Sequence, residues 1–556
     1  MRSPRVFGLR FPSALALAGS LVAAAVLGVS CSSNPGTPPP ASSTAAVDPS
    51  TPPTPPTVRL YLLSSPAGAI EPCGCSKDQL GGIDHLAAFL ASEKARAPHS
   101  MLLGAGPMLF QDPVLEADSK QQDMWKADAM AKSLGKLGLV TWAPASNDWA
   151  GGAEELESAR KASGAAFVAA NLSGAPNFVA SKLVDVGGIK VGVVGLSDPS
   201  AALGKAPEGI TVSAAKDALK KEIAALTAQG ARVLVATVSI QRGDALRLAD
   251  EVPELNVLLV GKAVQKGDGN DKQKPATLVN DTLVVEPSNH LQTIAVVDLF
   301  VRDAGDKRVV FADAGGVARA EELVTLSERI RELEAKLNGW ANDKKVDPRD
   351  VAARRADLER LRSDKYKLEV EAPPPAGSFF RYEAVEVRDK MGAQEDVTKV
   401  LLDHYKRVNE HNKVAFASRV PEPAPKGQAS YVGVDKCAEC HTEEKKVWDA
   451  SAHAHAYETL QKKFVEYNLE CVGCHVTGYG KAGGSTVTHV EKLTDVGCET
   501  CHGPGSLHTA KPEVKGLVAR RPDPQSCVSE CHHPPHVEGF DPVAKMQHVL
   551  GPGHGM

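Results

Sequence analysis

The chain has 556 residues, with 63 Lys and Arg against 68 Asp and Glu, so its formal net charge is −5. This balance argues against a nucleic-acid-binding protein, which needs a basic surface to displace the counterions of phosphate groups. At roughly 100 to 200 residues per domain, the length allows about three domains. Of 11 Cys and 17 His, 8 Cys and 12 His fall between Cys437 and Met556, so the last fifth of the chain should have its own chemistry.

Residues 1–30 are predicted to be an export signal of the lipoprotein type. Arg2 and Arg5 precede an apolar run at residues 11–29, which is typical of a secretory signal. A run of about 19 residues is also long enough for a membrane-spanning anchor, and this alternative stays open. The segment Gly28-Val29-Ser30-Cys31 resembles a bacterial lipobox, which implies that Cys31 carries lipid after cleavage. We therefore expect an exported protein, periplasmic or on the outer surface, that is tethered to a membrane.

A linker rich in Pro, Ser and Thr is predicted at residues 31–57. It contains PGTPPP and STPPTPPT, which offer little apolar surface to bury. We expect this segment to be an extended spacer with some polyproline character.

Residues 58–313 alternate apolar runs rich in strand-forming residues with helical stretches. The runs include VRLYLLSS, MLLGAG, KVGVVGLSD, RVLVATVSI and NVLLVG. Strands that alternate with helices of 10 to 15 residues predict a layered α/β domain. Within it, DVGGIKVGVVG predicts a hairpin that turns at Gly187-Gly188.

The segments QLGGIDHLAAFL, MLLGAGP, SND, LVDVGGIKVGVVGLSDP, VATVSIQRGD and LLVGK resemble the calcineurin-like metallophosphoesterase domain of bacterial 5′-nucleotidases, over about residues 58–302. That chemistry needs two metal ions held by carboxylates, an Asn and several His. The matching positions here hold Gly106-Pro107, Ser146-Asn147-Asp148, Ser239-Ile240 and Gly261-Lys262-Ala263-Val264, and the initial Asp-x-His is missing. The resemblance thus implies the fold without its metals, and we expect no phosphatase activity.

In place of the first metal motif stands Glu71-Pro72-Cys73-Gly74-Cys75. A disulfide between cysteines separated by one residue is strained and easily reduced. Two interpretations of Cys73 and Cys75 stay open. They form either an inert crosslink or a redox or metal site, the latter with His85, Asp148 or His290 as a further ligand.

A helical hairpin is predicted at residues 318–370. Leucine and isoleucine recur at spacings of three and four from Leu323 to Leu337, and Val351, Leu358, Leu361 and Leu368 form a second apolar run at spacings of seven, three and seven. Packing against the α/β domain and a partner interface are equally compatible with this pattern. A further α/β segment and a linker follow at residues 371–430, ending near VPEPAPKGQ.

The C-terminal region, residues 431–556, carries three CxxCH motifs within about 66 residues: Cys437-Ala-Glu-Cys440-His441, Cys471-Val-Gly-Cys474-His475 and Cys498-Glu-Thr-Cys501-His502. Two thiols on one turn reach the two vinyl groups of a haem, and the adjacent imidazole binds the iron. A zinc or disulfide module is the alternative, but zinc sites do not need a His after every second Cys.

A fourth motif, Cys527-Val-Ser-Glu-Cys531-His532, has one residue more between its cysteines. Its Cys-His ending matches the others, so we predict a fourth haem c with an enlarged loop, against the alternative of a plain disulfide. The cofactor prediction is therefore four haems, with three bound through the regular spacing.

Each haem iron needs a sixth ligand or keeps an open position. The C-terminal region supplies eight further His and only two Met, Met546 and Met556. We therefore expect His/His ligation and low reduction potentials, because Met ligation raises them. About 126 residues can build little side-chain core around four haems, so we expect this region not to fold without them.

The segments YVGVDKCAECH, WDASAHAHAYETL, CVGCHVTGYG, GCETCHGPGSLH and CHHPPHVEGFD resemble, in this order, the tetrahaem cytochrome c-554 family over about residues 430–550. The resemblance implies a mainly helical module with haems in close pairs, several with two His ligands and one able to be five-coordinate. By motif position it implies His453 and His508 as distal ligands, with His455, His489, His536 and His548 as further candidates.

The predicted function is electron transfer by an exported multihaem c-type cytochrome at a membrane surface. Its partners would be redox proteins or quinol-linked donors, with the α/β domain as a docking or substrate-sensing module. Two alternatives stay open. One is a haem enzyme that reduces a small nitrogen oxide at an open iron, and the other is a ligand-binding or phosphoesterase-like domain with a cytochrome appended.

Overall fold

The computed structural model of the chain describes residues 54–73, 79–265, 268–340, 346–533, 537 and 540–551. The predicted signal, Cys31, most of the linker, Cys75 and His536 lie outside the described residues. The structure assigns Pro52–Met556 to one compact unit. Within the described residues, no helix combines the length and the apolar character needed to span a bilayer.

The apolar runs of the α/β domain form strands, as their alternation with helices predicted. The strands are β1 Val58–Ser64, β2 Pro72–Cys73, β3 Leu80–Gly81, β4 Ser100–Ala105, β5 Leu139–Ala143, β6 Ala166–Phe167, β7 Leu172–Ser173, β8 Ser181–Val186, β9 Ile189–Ser197, β10 Thr211–Val212, β11 Val233–Ser239, β12 Val257–Gly261, β13 Thr277–Val279, β14 Thr282–Val285, β15 Thr293–Phe300 and β16 Phe379–Glu386.

Most of these strands form two sheets of six described strands each. The first has the order β16-β15-β1-β4-β5-β6, with β1, β4, β5 and β6 parallel and β15 and β16 antiparallel. The second has the order β13-β14-β12-β11-β9-β8, with a parallel centre from β14 to β9. Val186 pairs with Ile189, which confirms the hairpin turn at Gly187-Gly188.

The helices follow the strands in the α/β domain and dominate the rest of the chain. They are α1 Ile83–Glu93, α2 Lys120–Lys136, α3 Ala153–Ser163, α4 Ala215–Ala228, α5 Arg242–Glu251, α6 Gly316–Trp340, α7 Pro348–Glu369, α8 Glu395–Ala415, α9 Val434–Ala438, α10 Thr442–Asp449, α11 Ala456–Lys463, α12 Cys498–His502, α13 Ser506–Ala510, α14 Gln525–Glu530 and α15 Pro542–Met546.

Alternation along the strands divides the α/β core into layers. On β1, Leu60 and Leu62 pack between the two sheets, whereas Tyr61 and Leu63 pack in the cluster that includes α1, α2 and α8. A third cluster joins the outer face of the second sheet to α4 and α5. Because side chains on a strand alternate between faces, both sheets can be covered on both sides. The predicted layered α/β architecture is confirmed.

Helices α6 and α7 form the antiparallel hairpin, with Leu323, Leu326, Leu358 and Leu361 buried. The first arm packs against β16, where Arg331 Nη1 lies 2.9 Å from Glu386 Oε1. β16 itself, from the segment after the hairpin, pairs with β15 along its whole length. The hairpin is therefore packed on the edge of the first sheet.

The C-terminal region consists of short helices, α9 to α15, joined by loops and 3₁₀ turns. Its main apolar cluster is small and contains Tyr457, Leu460, Val465, Val472 and Val476. The prediction of a mainly helical module with little side-chain core is confirmed for the described residues.

Candidate haem-binding region

Each Cys-His motif forms a tight backbone turn. Cys437 lies on α9, Cys498 begins α12, Cys527 lies on α14 and Cys471 precedes a 3₁₀ turn at Val472–Cys474. A turn of helix places the paired cysteines on one side of the backbone, as attachment to a single porphyrin requires. In the described chain the eight cysteines form no disulfide.

The fourth motif absorbs its extra residue within the turn. In the first motif, the His441 amide donates to the Cys437 carbonyl at 3.0 Å. In the fourth, the His532 amide donates to the Cys527 carbonyl at 2.8 Å, although the two are five residues apart rather than four. The histidine thus keeps the same backbone tie to the first cysteine in both spacings.

The motifs come together in two pairs. Cys437 and Cys498 meet where α9 contacts α12, and the interaction of their thiols raises the pKa of Cys437 and lowers the pKa of Cys498 to about 7. In the second pair, Cys531 Sγ lies 3.9 Å from the Cys474 carbonyl oxygen, and the interaction of the two thiols lowers the pKa of Cys474 to about 7. The first motif is therefore beside the third, and the second beside the fourth.

Two motif histidines face a second imidazole. The ring centroids of His441 and His508 are 6.3 Å apart, and those of His453 and His532 are 6.4 Å apart. Two imidazoles on opposite sides of one metal ion, with metal–nitrogen bonds of about 2 Å and ring centres roughly 1 Å further out, would have centroids about 6 Å apart. Both pairs have the spacing that bis-histidine ligation of one iron needs.

The other two motif histidines are oriented by the main chain. His475 Nδ1 lies 2.6 Å from the Ala456 carbonyl, and His502 Nδ1 lies 2.6 Å from the Ala519 carbonyl. Because a carbonyl only accepts, Nδ1–H must donate, which leaves Nε2 as the metal-binding nitrogen. Within the described chain, neither ring has a second imidazole paired with it.

The remaining candidate ligands have other surroundings. His455 Nε2 lies 3.2 Å from the Asp449 carbonyl, so it donates there instead of facing a motif histidine. His489 Nδ1 lies 3.1 Å from Thr488 Oγ1. His548 follows α15, where its amide donates to the Lys545 carbonyl.

Burial favours the neutral form of two paired imidazoles. It lowers the pKa of His453, with His532 acting in the same direction, and it lowers the pKa of His532. The His532 ring also stacks on Phe540, with centroids 4.1 Å apart. A neutral ring is the form that binds a metal, so this environment fits a ligand role.

Glu499, inside the third motif, is a residue that motif analysis missed. It is 4% exposed, and its carboxylate accepts hydrogen bonds from the amides of Val432, Gly433 and Gly505 at 2.7–3.0 Å. It therefore ties the segment before the first motif and the loop before α13 to the third motif. The flanking glycines were the available sequence signal, because they allow this close approach.

In the α/β domain, the sequence resemblance aligned Asn147 and Asp148 with metal ligands of phosphoesterases. Both side chains are hydrogen-bonded to backbone groups of the protein itself. The Asp148 carboxylate accepts from the amides of Met108, Leu109 and Ala145 at 2.7–2.9 Å. Burial raises its pKa to about 6, against the opposite effect of these hydrogen bonds. Asn147 Nδ2 donates to the carbonyls of Gln111 and Val264. These two side chains hold loops together at the carboxyl ends of the strands.

The residues proposed to accompany Cys73 and Cys75 have separate partners. His85 Nδ1 lies 2.5 Å from the Gly392 carbonyl, and His290 contacts Asn270 and Gln111. Cys73 lies on β2, which pairs with β3, and Cys75 lies outside the described residues. Within the described residues, no group of three His, Cys, Asp or Glu is arranged to hold a metal ion.

Residues 436–503 match the protein family described as Cytochrome c554 and c-prime. The C-terminal region is similar to the c554 cytochromes. A curated relative, cytochrome c-554 of Nitrosomonas europaea, is 39% identical over 93 residues, which cover 14% of this chain and 40% of the relative. The chain thus spans about two fifths of the length of that cytochrome.

Among solved structures, the chain is similar to a 5′-nucleotidase precursor and to a calcineurin-like phosphoesterase. The 5′-nucleotidase precursor of Thermus thermophilus has 14% identity and a TM-score of 0.42, covering 79% of this chain and 73% of its own. The calcineurin-like phosphoesterase YfkN of Bacillus subtilis has 16% identity and a TM-score of 0.37, covering 45% of this chain and 86% of its own.

Proposed function

We propose that this chain is an exported multihaem c-type cytochrome whose C-terminal region transfers electrons. The observation that carries the proposal is the pairing of His441 with His508 and of His532 with His453 at the spacing of bis-histidine ligation. A c-type haem supplies an iron that alternates between two oxidation states while thioether bonds keep it attached.

We assign the haem-binding residues as follows. Thioether bonds would form at Cys437, Cys440, Cys471, Cys474, Cys498, Cys501, Cys527 and Cys531. The proximal ligands would be His441, His475, His502 and His532, and the distal ligands of the first and fourth haems would be His508 and His453. His489, His536 and His548 stay as candidates for the others, and His455 is less suited because its Nε2 is used by the main chain.

Four haems would be arranged as two close pairs. Cys437 beside Cys498 supports a pair formed by the first and third haems, and Cys474 beside Cys531 supports a pair formed by the second and fourth. Short separations between porphyrins allow electrons to pass along the region. We expect low potentials, because histidine supplies the assigned axial ligands.

The second candidate function is reduction of a small nitrogen oxide at an open iron. It is favoured by His475 and His502, each held by a carbonyl through Nδ1 and without a paired imidazole in the described chain. One iron with a single protein ligand would be enough for this activity.

The α/β domain would serve as a docking or substrate-sensing module. Asn147 and Asp148 are engaged by backbone groups, which supports a structural role for them and not a two-metal hydrolytic site. Lipidation at Cys31 would place the protein in the periplasm or on the outer surface, where redox proteins or quinol-linked donors are the partners.

The test combines intact mass with electron paramagnetic resonance (EPR) of protein matured with the c-type haem machinery. We expect four haems by mass. Replacing His508 or His453 by Ala should each convert one low-spin haem to high-spin, because one axial ligand is lost. His455→Ala is the matched control and should leave the spectrum unchanged.

A colourless protein, or a low-spin signal that keeps its full intensity in both His508→Ala and His453→Ala protein, contradicts the proposal. The second candidate function needs reduced wild-type protein to bind nitric oxide at one iron. A spectrum that nitric oxide does not change would exclude it.

A further inference from the structure

The α/β domain and α8 contact the C-terminal region immediately before one haem-attachment motif. Residues 464–470 lead directly into Cys471, and they lie against α2 and α8. The described hydrogen bonds and ion pairs between residues 58–415 and the C-terminal region all fall on residues 467–470, and none of them involves the other three motifs or the residues just before those motifs.

Three buried amide side chains form the centre of this contact. Gln122 Nε2 on α2 donates to Asn468 Oδ1 at 3.0 Å, and Asn412 Nδ2 on α8 donates to Gln122 Oε1 at 3.0 Å. Gln122 Oε1 also accepts from the Leu469 amide, and Asn412 donates to the Tyr467 carbonyl at 2.9 Å. All three side chains are at most 6% exposed, so their mutual bonds replace water.

Charged groups surround this amide cluster. Lys126 Nζ on α2 lies 2.8 Å from Oε1 of Glu470, and Glu470 directly precedes Cys471 in the chain. Lys406 Nζ on α8 lies 5.0 Å from the centre of the Phe464 ring, and the Tyr467 amide donates to Asn409 Oδ1 at 3.0 Å. The segment is therefore held at both ends and in the middle.

Tyr405 on α8 extends the contact to the cysteine itself. It packs against the core that contains α1 and α2 and also against the small C-terminal cluster, which Cys471 joins too. Burial raises the pKa of the Tyr405 hydroxyl and of the Cys471 thiol, and the Glu71 carboxylate, just before β2, acts in the same direction on both. The surroundings of Cys471 thus include residues of the α/β domain.

We propose that α2 and α8 position the second motif, Cys471–His475, and that the Lys126–Glu470 pair beside it sets the reduction potential of the haem attached there and of no other. This inference rests on the proposed function. The physical basis is that fixed charges and burial around a haem change the relative stability of its two oxidation states. The second haem is then the one through which the α/β domain influences the electron-transfer chain.

Two substitutions of opposite sign test the proposal on the full-length, haem-loaded protein. Lys126→Met leaves the Glu470 charge uncompensated, so one haem should become harder to reduce. Glu470→Gln leaves the Lys126 charge uncompensated, so the same haem should become easier to reduce. We expect each to change one reduction equilibrium three- to tenfold, where tenfold corresponds to about 59 mV for one electron.

The measurement is a spectroscopic redox titration that resolves the haem components, with intact mass for each variant. Lys132→Met is the matched control, because Lys132 is also on α2 and its ion pair with Asp128 stays within that helix. It should leave every component unchanged. The double variant Cys471→Ala, Cys474→Ala should be lighter by the mass of one haem. Its titration should lack the redox component that shifts in Lys126→Met and Glu470→Gln protein.

Gln122→Ala provides a separate readout. This substitution removes the Gln122 amide, which donates to Asn468 and accepts from Asn412 and Leu469. Hydrogen exchange in residues 464–472 should become faster, and the same redox component should shift. The proposal is overturned if no component moves in haem-loaded Lys126→Met and Glu470→Gln protein, or if all components move together. A wild-type protein without haem would instead refute the proposed function.

Discussion

At the scale of single residues, the position of each imidazole decides which proposed haem iron it could bind. The Cys-His motifs identify the proximal candidates by spacing alone, but His453 and His455 are two residues apart and have different roles in the structure. His453 faces His532, whereas His455 donates to the Asp449 carbonyl. The repeat His-Ala-His by itself does not distinguish them, although the family resemblance ranked His453 first. Which motif each ring faces depends on contacts with segments that lie far along the chain.

His404 on α8 gives a prediction at this scale. It is 6% exposed, and burial lowers its pKa to about 4, with Lys126 and Arg407 acting in the same direction and Glu470 and Asp128 opposing. Between about pH 6.5 and 4 the unfolded chain binds a proton that the folded protein excludes, so stability falls as pH falls. From pH 7 to 5 this should cost about 2 kcal/mol.

Urea unfolding at both pH values checks this expectation. His404→Leu should remove about 2 kcal/mol of the difference between pH 7 and pH 5, and it also removes the unbonded, buried Nδ1. His99→Gln changes an exposed histidine and serves as the control. An equal pH dependence in wild type and His404→Leu would contradict the assignment.

At the scale of elements, the helical hairpin was predictable from its leucine spacing, but its environment was not. The pattern is equally suited to a partner interface, and the structure places α6 on β16 because residues 379–386 return to the first sheet after the hairpin. That strand pairing is a contact between segments distant in sequence. The fourth motif, in contrast, depends on local structure alone. Its extra residue is accommodated by a turn that keeps the hydrogen bond from the His532 amide to the Cys527 carbonyl.

Leu361→Ala tests how the hairpin is held. Leu361 is buried between the two arms, so its truncation should lower the free energy of local opening by about 2–4 kcal/mol. Hydrogen exchange should then accelerate in α6 and α7 while the haem spectrum stays unchanged. Lys367→Ala, an exposed change on the same helix, should leave the exchange rates as they are. Uniform acceleration across all sheets would instead show that the hairpin opens only with the whole protein.

At the scale of the whole molecule, two kinds of core coexist. The α/β domain has three large clusters of buried aliphatic and aromatic side chains, whereas the main apolar cluster described for the C-terminal region has five buried members. A region with so little buried apolar surface needs another source of stability, which covalently bound porphyrins would provide.

Protein produced without the c-type haem machinery should therefore be folded in part. We expect hydrogen exchange to be slow in β1, β4, β9 and β11 and fast throughout residues 431–551, because only the former belong to a complete core. Haem-loaded protein is the control and should be protected in both. Strong protection of residues 431–551 in colourless protein would contradict the idea that haem completes this region.

Local patterns in the chain were enough to predict the strands and the hairpin at Gly187-Gly188, and to mark the candidate haem-attachment cysteines and proximal histidines, because each depends on residues within a few positions of one another. Local patterns do not predict which imidazole faces each of those histidines or which motifs are neighbours. They also do not predict the contact of α2 and α8 with residues 464–470. Gln122 and Asn468 are 346 positions apart, and nothing in either neighbourhood indicates the other. Contacts of this kind arise only when packed layers bring distant segments together, because burial then forces their polar groups to bond to each other.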